Sequence, residues 1–314
     1  MKKQNLKKPM RKKILLTGAS GLFGINFISQ VYSSTKYDLI CASRSKPNCK
    51  KLNASSFVSL DLVDAKKTGD LILKLNPDLI IHAASIGSVD FCENNKKTAW
   101  NINVSSTQNI ISAAKKCQAD IIFLSSNAVY SGLNPPYNEK SYRRPVDYYG
   151  FTKLVGENKI KRSGLRYAIV RLMTMYGWHA DGQRENPVTW IINKLSNNCH
   201  INMVNDVYNN HLFVNQAVEA VLKIINNDKW GEEFNISGKD VLSRYQLAIS
   251  VAKVFHLDNN LIHSVKSSFF PNLAPRGKNT SFNNTKMIKV LKLFPLEIEK
   301  GLVFMKNNKL NSFV

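Results

Sequence analysis

Three glycines near the N-terminus limit the folds that this chain can adopt more than any other feature. The apolar run at residues 13–17 ends in Gly18, and Gly21 and Gly24 follow at intervals of three. A short strand, a tight turn and a helix fit this spacing. Gly18 allows the turn, Gly21 lets the backbone approach a pyrophosphate, and Gly24 lets the helix pack closely on the strand. Alone, such a triplet also fits a flexible loop.

Short apolar runs alternate with helical patterns over the N-terminal half of the chain. Runs at 13–17, 37–42, 56–60, 77–82 and 119–124 predict strands, and the patterns at 68–75 and 98–116 predict helices. This alternation is typical of an α/β fold with a parallel, doubly wound sheet of the Rossmann type. Ligands bind such sheets outside the carboxyl ends of the strands, where Gly21, Asp61, Ala84 and Ser126 fall. His82 also ends a strand, but its small neighbours favour a packed structural histidine.

The residues after the second predicted strand bear on the choice of dinucleotide. A site for NAD(H) usually has an Asp or Glu there for the ribose 2′-hydroxyl, whereas a 2′-phosphate favours an arginine. This chain has Ser43, Arg44, Ser45 and Lys46 in that position, with no acid among them. Because a guanidinium binds phosphate in bidentate fashion, we predict NADPH as the cofactor, with NADH as the alternative. An Arg44 side chain directed into solvent is the competing interpretation.

Tyr149 and Lys153 are four residues apart, a spacing that places both side chains on one face of a helix. We expect the ammonium to lower the pKa of the phenol from its usual value of about 10, so that the phenol exchanges a proton near neutrality. Alone, such a pair is more typical of two solvated side chains. The preceding glycine turn and Ser126, just after the fifth predicted strand, favour a catalytic interpretation.

Seven motifs occur along most of the chain in the order found in one known family. They are Thr17-Gly18-Ala-Ser-Gly21-Leu-Phe-Gly24, Asp61-Leu62, His82-Ala83-Ala84, Asn103-Val104, Ser125-Ser126, Tyr149-x-x-x-Lys153 and Arg171 through Tyr176-Gly177. Together they resemble the extended short-chain dehydrogenase/reductase family, which acts mostly on nucleotide-linked sugars. Within it, the chain is most similar to the dTDP-4-dehydrorhamnose reductases. It departs from their usual Ser-Thr-Asp with Ser125-Ser126-Asn127, which bears on the identity of the sugar more than on the chemistry.

The resemblance implies a role for each matching residue. Tyr149 is expected to protonate the developing alkoxide, Lys153 to hold the nicotinamide ribose, and Ser126 to hydrogen-bond the carbonyl oxygen. The residues expected to contact the cofactor are Gly18, Ser20, Gly21, Leu22, Phe23, Gly24, Ser43, Arg44, Asp61, Leu62, Ala83, Ala84, Ser85, Asn103, Tyr149 and Lys153. Those expected to contact the substrate are Asp90, Ser126, Asn127 and Arg276, with Arg276 at the diphosphate.

We predict three functional segments. Residues 1–12 form a basic tail that is expected to be disordered, and residues 13–172 with about 211–240 form the dinucleotide-binding domain. Residues of about 173–210 with 241–314 form a smaller, interleaved substrate-binding lobe, in which Pro275–Lys286 is similar to the substrate segment of the family.

The predicted function is NADPH-dependent reduction of the 4-keto group of a nucleotide-linked 6-deoxy sugar. An NAD-dependent nucleotide-sugar epimerase or dehydratase is one alternative, although Asn127 offers no acid for an elimination and Arg44 disfavours NAD. A catalytically silent, nucleotide-binding subunit that regulates another enzyme is the second. The sequence leaves the oligomeric state open, a homodimer included.

The net charge of +22 raises the question of a nucleic-acid or membrane-surface partner. Lysine and asparagine are abundant throughout the chain without interleaved aromatic residues, so compositional bias is the preferred interpretation and neither partner is predicted. The five cysteines are odd in number and lack the close pairing of a zinc site, which suggests a reducing cytoplasm and no metal. No run of 18 apolar residues predicts a membrane span.

Overall fold

The computed structural model describes residues 11–32, 34–47, 49 and 56–308. Its strands, numbered in chain order, are β1 (Lys12–Thr17), β2 (Tyr37–Ser43), β3 (Phe57–Ser59), β4 (Leu79–His82), β5 (Asp120–Ser126), β6 (Tyr167–Leu172), β7 (Met175–Tyr176), β8 (Ile201–Val204), β9 (Tyr208–Asn209), β10 (Leu212–Phe213), β11 (Glu232–Ile236), β12 (Leu242–Ser243) and β13 (Ile262–Val265). Seven of them form one parallel sheet in the order β11-β6-β5-β4-β1-β2-β3. The predicted α/β fold with a doubly wound sheet is therefore confirmed.

The helices connect these strands and cover the sheet. They are α1 (Leu22–Val31), α2 (Ala65–Leu75), α3 (Val89–Asn94), α4 (Lys96–Trp100), α5 (Ser106–Cys117), α6 (Tyr148–Lys161), α7 (Pro187–Ser196), α8 (Val214–Asn226), α9 (Arg244–Phe255), α10 (Thr285–Leu291) and α11 (Ile298–Asn307). Among the described residues, none of these helices has the length and apolar character needed to cross a membrane.

The two faces of the sheet have separate cores because side chains alternate along each strand. In β1, Ile14 and Leu16 pack with Phe27 of α1 and Val221 of α8. Leu15 points to the opposite face, into the core that α2, α5 and α6 cover. A third core lies away from the sheet, where α7, α9 and α11 pack around the β8–β13 pair. The parallel strands thus meet helices on both faces, which leaves their carboxyl ends as the open edge.

Several predicted boundaries differ from the structure. The helix predicted at 98–116 is α4 and α5 joined by a π-helical turn, Asn101–Ser105. The helix predicted at 68–75 begins earlier, at Ala65, because the Asp64 side chain caps its N-terminus. Lys12, which the prediction placed in the tail, is the first residue of β1 and follows the register of β2. Residues 1–10 of the predicted tail lie outside the described residues.

The packing of the strands and helices separates two groups of elements, but it does not establish which ligand each group binds. β11 pairs with β6 in the central sheet, and α8 packs on α1, so residues 214–236 belong with the central sheet and its helices. α7, β8, α9, β13 and α11 share the third core. The division into a dinucleotide-binding domain and a substrate-binding lobe stays a prediction, since it is a statement about ligands.

Candidate active site

A cleft of about 920 Å³ runs along the carboxyl ends of the parallel strands. This is the edge at which doubly wound sheets bind their ligands. Most of the predicted site residues line it: Gly18, Ser20, Gly21, Leu22, Phe23, Gly24, Arg44, Ala83, Ser85, Asp90, Ser126, Asn127, Tyr149, Lys153 and Arg276. The structure thus brings together residues from widely separated parts of the chain.

Five predicted cofactor residues do not line the cleft: Ser43, Asp61, Leu62, Ala84 and Asn103. The Ser43 hydroxyl donates to the Ser45 carbonyl at 2.7 Å. The Asn103 amide is buried, where it binds the Ile86 backbone and donates to Thr152 Oγ1 at 3.0 Å. Asn103 therefore joins the loop after β4 to α6. Contacts of these five residues with a cofactor stay predictions.

The turn between β1 and α1 has the features of a phosphate cradle. Gly18 has φ of +69°, and a Cβ atom there would lie 2.6 Å from the Ala84 nitrogen, so a larger residue would be strained and would clash. Helix α1 begins at Leu22 with no acidic residue in its first turn. Its partial positive charge is therefore available to an anion. Arg44, exposed after β2, lines the same end of the cleft.

Ser126 ends β5 and is fixed by the turn that follows. Its hydroxyl accepts a hydrogen bond from the Ala128 nitrogen at 3.2 Å and donates to Asn127 Oδ1 at 3.3 Å. The Asn127 amide donates to Thr280 Oγ1 at 2.8 Å, and Thr280 Oγ1 donates to Asn209 Oδ1 at 2.7 Å. This chain of polar side chains connects the end of β5 to strand β9.

Helix α6 approaches Ser126 closely because of one glycine. The Asp147 side chain caps the helix by accepting a hydrogen bond from the Gly150 nitrogen at 2.7 Å. A Cβ atom at position 150 would overlap the Ala128 carbonyl oxygen, so the first turn of α6 rests directly on the turn after β5. This contact places the Tyr149 phenol beside the Ser126 hydroxyl, its hydrogen-bond partner.

The expected lowering of the Tyr149 pKa by Lys153 is wrong for this arrangement. Burial dominates and raises the pKa of Tyr149 to about 12, outweighing the Ser126 hydrogen bond. Burial also lowers the pKa of Lys153 to about 8. The Lys153 ammonium lies 4.3 Å from the centre of the Phe123 ring. Tyr149 is therefore protonated at neutral pH, the state that a proton donor requires.

A buried ion network lies behind these residues. Glu157, on α6, accepts hydrogen bonds from Ser125 Oγ at 2.6 Å and from Arg143 at 2.8 Å. Arg171, on β6, donates to both oxygens of Glu157 and also pairs with Glu233. The Glu157 and Arg171 side chains are fully buried. The network fixes α6 to β5 and β6 beneath the cleft.

The structure confirms that His82 is a packed structural histidine. Its Nδ1 lies 2.8 Å from Thr17 Oγ1, and its Nε2 lies 3.0 Å from Thr107 Oγ1. Burial lowers the pKa of His82 to about 3, so the ring is neutral at physiological pH.

Arg276, the predicted diphosphate ligand, forms an ion pair inside the chain. Its two terminal nitrogens donate to the two oxygens of Asp90 at 2.8 and 2.6 Å, and one of them also donates to the Ala274 carbonyl. The Ala274 nitrogen in turn donates to Asp90 Oδ1. The two predicted substrate residues are therefore partners of each other, which opposes the expected contact between Arg276 and a diphosphate.

Sequence reasoning missed several residues of the cleft. Arg184 and Gln183 come from the loop before α7, and Gln183 donates to the Ser20 carbonyl in the turn between β1 and α1. Arg244 is the first residue of α9. The capping box of Ser243 and Gln246 was a local signal that a helix starts there, but nothing in the sequence placed that helix beside the cleft.

Among the described residues, no cysteine lines the cleft. The five cysteines are free thiols, and three of them, Cys41, Cys49 and Cys92, are buried. Across residues 11–32, 34–47, 49 and 56–308, no three His, Cys, Asp or Glu side chains are grouped in a way that could hold a metal ion.

Comparison with known proteins gives the relatives of this chain. It is 26% identical over 283 residues to methionine adenosyltransferase 2 subunit beta of Mus musculus, a match that covers 88% of this chain and 81% of that protein. A dTDP-4-dehydrorhamnose reductase of Clostridium acetobutylicum superimposes with a TM-score of 0.82 and 25% identity, over 94% of this chain and 98% of that one. A dTDP-4-dehydrorhamnose reductase of Bacillus anthracis, in complex with NADP, superimposes with a TM-score of 0.84 and 24% identity, over 95% and 100% of the two chains.

One family model matches almost the whole described chain. The RmlD substrate binding domain model aligns with residues 11–308. This range includes the glycine turn, Ser126, Tyr149 and Lys153, and the α9 helix that carries Arg244. The chain therefore belongs to the RmlD substrate binding domain family.

Proposed function

We propose that this protein uses NADPH to reduce the 4-keto group of a nucleotide-linked 6-deoxy sugar. The observation that carries the proposal is that Ser126, Tyr149 and Lys153 line the same cleft as the Gly18 turn and Arg44. The similarity to dTDP-4-dehydrorhamnose reductases supports the reaction class. The NADP in the Bacillus anthracis structure of the same fold supports the cofactor.

The residues at this end of the cleft fit the pyrophosphate and the 2′-phosphate of NADPH. The Gly18 turn and the N-terminus of α1 would hold the pyrophosphate, and Arg44 would hold the 2′-phosphate. NADPH supplies a hydride when it is bound. The turn passes so close to the Ala84 backbone that a side chain at position 18 would clash with it.

The chain's own residues would handle the proton and the developing charge. Tyr149, protonated at neutral pH, would donate its phenolic proton to the carbonyl oxygen as that oxygen becomes an alkoxide. Ser126 would donate a hydrogen bond to the same oxygen, which stabilises the charge that develops in the transition state. The Lys153 ammonium would hold the cofactor ribose and provide positive charge beneath the reacting atoms.

A substrate screen tests the proposal. Purified protein is incubated with NADPH and a panel of nucleotide-linked 4-keto-6-deoxy sugars, and oxidation of NADPH is followed by absorbance with mass analysis of the reduced sugar. We expect turnover with at least one sugar. Firmly bound NAD in the purified protein, with no net oxidation of NADPH, would instead support the epimerase alternative.

A second candidate is a nucleotide-binding subunit that serves another enzyme. The similarity to methionine adenosyltransferase 2 subunit beta over most of both chains favours it, since that protein is by name a subunit. The reductase would turn over a keto sugar, whereas the subunit would not. Tight NADPH binding without reduction of any keto sugar, together with a stable complex with a second enzyme, would favour the subunit.

A further inference from the structure

We infer that Arg244, and not Arg276, binds the diphosphate of the substrate. The inference rests on the proposed function, because it names the residue that recognises the anionic group of that substrate. It starts from the charges of the cleft. Among the described residues, the cleft is lined by six cationic side chains, Arg44, Lys46, Lys153, Arg184, Arg244 and Arg276, and by four carboxylates.

Arg276 is already paired with a carboxylate of the chain. Asp90 occupies both terminal nitrogens of its guanidinium, and the Ala274 carbonyl takes a further hydrogen bond from one of them. A bidentate arginine–carboxylate pair is among the strongest polar contacts in proteins. To reach a diphosphate, Arg276 would have to leave Asp90, whose free carboxylate would then repel the incoming anion.

Arg244 differs from Arg276 in its polar contacts. No hydrogen bond or ion pair joins its guanidinium to any residue in the described part of the chain, although the side chain is half-buried and lines the cleft. Burial and the nearby Arg276 lower the pKa of Arg244, and Asp90 offsets only part of this effect. A guanidinium carries five N–H donors, and leaving without an acceptor any donor that burial removes from water is costly. A bound anion would remove that cost.

The surroundings of Arg244 favour an anion as well. It is the first residue of α9, a 12-residue helix with no acidic residue in its first turn, so the partial positive charge of the helix adds to that of the side chain. The strand just before it, β12, pairs with β9. Asn209 of β9 is joined through Thr280 to Asn127, next to Ser126. The start of α9 is thereby connected to the reacting end of the cleft through the β12–β9 pair and the Asn209–Thr280–Asn127 hydrogen bonds.

Binding of diphosphates without turnover tests this assignment. The full-length protein, saturated with NADP⁺, is titrated by calorimetry with inorganic pyrophosphate, dTDP, UDP and thymidine. We expect Arg244→Gln to weaken dTDP or UDP binding about ten- to a hundredfold, the loss typical of a charge-assisted contact, with thymidine unaffected. The affinity of Arg244→Lys for dTDP or UDP should lie between those of Arg244→Gln and the unmodified protein. Lysine keeps the positive charge but loses the bidentate geometry of the guanidinium. Lys253→Gln, which removes a charge from the exposed end of the same helix, is the matched control and should bind as the unmodified protein does.

A paired variant separates the two arginines. Asp90→Asn combined with Arg276→Gln removes the ion pair without a change in net charge, and it should keep dTDP affinity within about threefold. Loss of affinity in this double variant, equal affinity in Arg244→Gln and the unmodified protein, or no diphosphate binding by the unmodified protein would overturn the inference. NADP⁺ affinity and melting temperature report on folding. A protein that binds dTDP through Arg244 but reduces no keto sugar would keep the inference and reject the proposed function.

Discussion

Glu157 lies one helical turn beyond Lys153, and its carboxylate accepts hydrogen bonds from Arg171 at 2.8 and 2.7 Å. The same carboxylate accepts a hydrogen bond from Ser125, the neighbour of Ser126, at 2.6 Å. Glu157 is therefore a positioning residue in this account. It holds the helix of Tyr149 against the strand of Ser126, and its charge raises the pKa of Lys153 against the effect of burial.

Glu157→Gln should lower both stability and the pH at which activity is lost. Breaking a buried pair costs about 3 to 5 kcal/mol, and we expect the lower end because Glu233 still pairs with Arg171. The upper pKa of the kcat/KM profile should move to lower pH, since Lys153 loses a nearby negative charge. Urea denaturation and pH profiles measure the two effects. Glu233→Gln is the control: it also removes a partner of Arg171 and should leave the profile in place.

Gly150→Ala should reduce turnover by about tenfold or more while costing about 1 to 3 kcal/mol of stability, the usual range for overpacking. The added methyl group would overlap the Ala128 carbonyl, so α6 must shift and carry Tyr149 away from Ser126. Gly69→Ala, in α2 with no atom within 4 Å of the new methyl group, is the matched control. It should stabilise the protein by about 0.5 to 1 kcal/mol. Full activity in Gly150→Ala would mean that this contact does not position Tyr149.

Arg44→Asp should remove the preference for NADPH over NADH. A charge-assisted contact with a 2′-phosphate is worth about 1.5 to 3 kcal/mol, so we expect roughly ten- to a hundredfold tighter binding of NADPH in the unmodified protein. Fluorescence titration with both cofactors measures the ratio. Arg144→Asp makes the same change of charge at an exposed position outside the cleft, and its ratio should not move. Equal affinities in the unmodified protein would show that Arg44 does not bind the phosphate.

Ketone reduction should be constant over neutral pH and fall as pH rises through about 8, the pKa of Lys153. Above that value the ammonium loses its proton, whereas Tyr149, with a pKa of about 12, stays protonated and able to donate. The descending limb of kcat/KM therefore reports Lys153 in the free enzyme. A profile that stayed flat to pH 10 would show that the charge on Lys153 is not required.

Local patterns in the sequence were enough to predict the fold and many of the residues that line the cleft. Strand, turn and helix follow from alternating apolar runs and from Gly18, whose positive φ few other residues adopt. The parallel sheet then brings the ends of β1, β2 and β5 to one edge, which is why the glycine turn, Arg44 and Ser126 could be placed together.

Those patterns could not predict contacts between residues that are far apart in the chain. Asp90 and Arg276 are separated by 186 residues, and the sequence around either one does not indicate that the two charges form an ion pair. The raised pKa of Tyr149 was missed because spacing reveals a neighbouring charge but not the burial that outweighs it. Arg244 was missed for a similar reason: only the three-dimensional structure shows that its guanidinium has no hydrogen bond or ion pair with any described residue.

The most direct test of the proposed function is the turnover of Tyr149→Phe with the keto sugar that the unmodified protein reduces. The change removes the phenolic hydroxyl and keeps the ring, so NADPH affinity and folding should be intact. Loss of the general acid should slow turnover about a hundredfold or more. A deuterium isotope effect with labelled NADPH establishes that chemistry limits the rate. Under that condition, a variant that retained more than about half of the unmodified turnover would contradict the role of Tyr149 as proton donor.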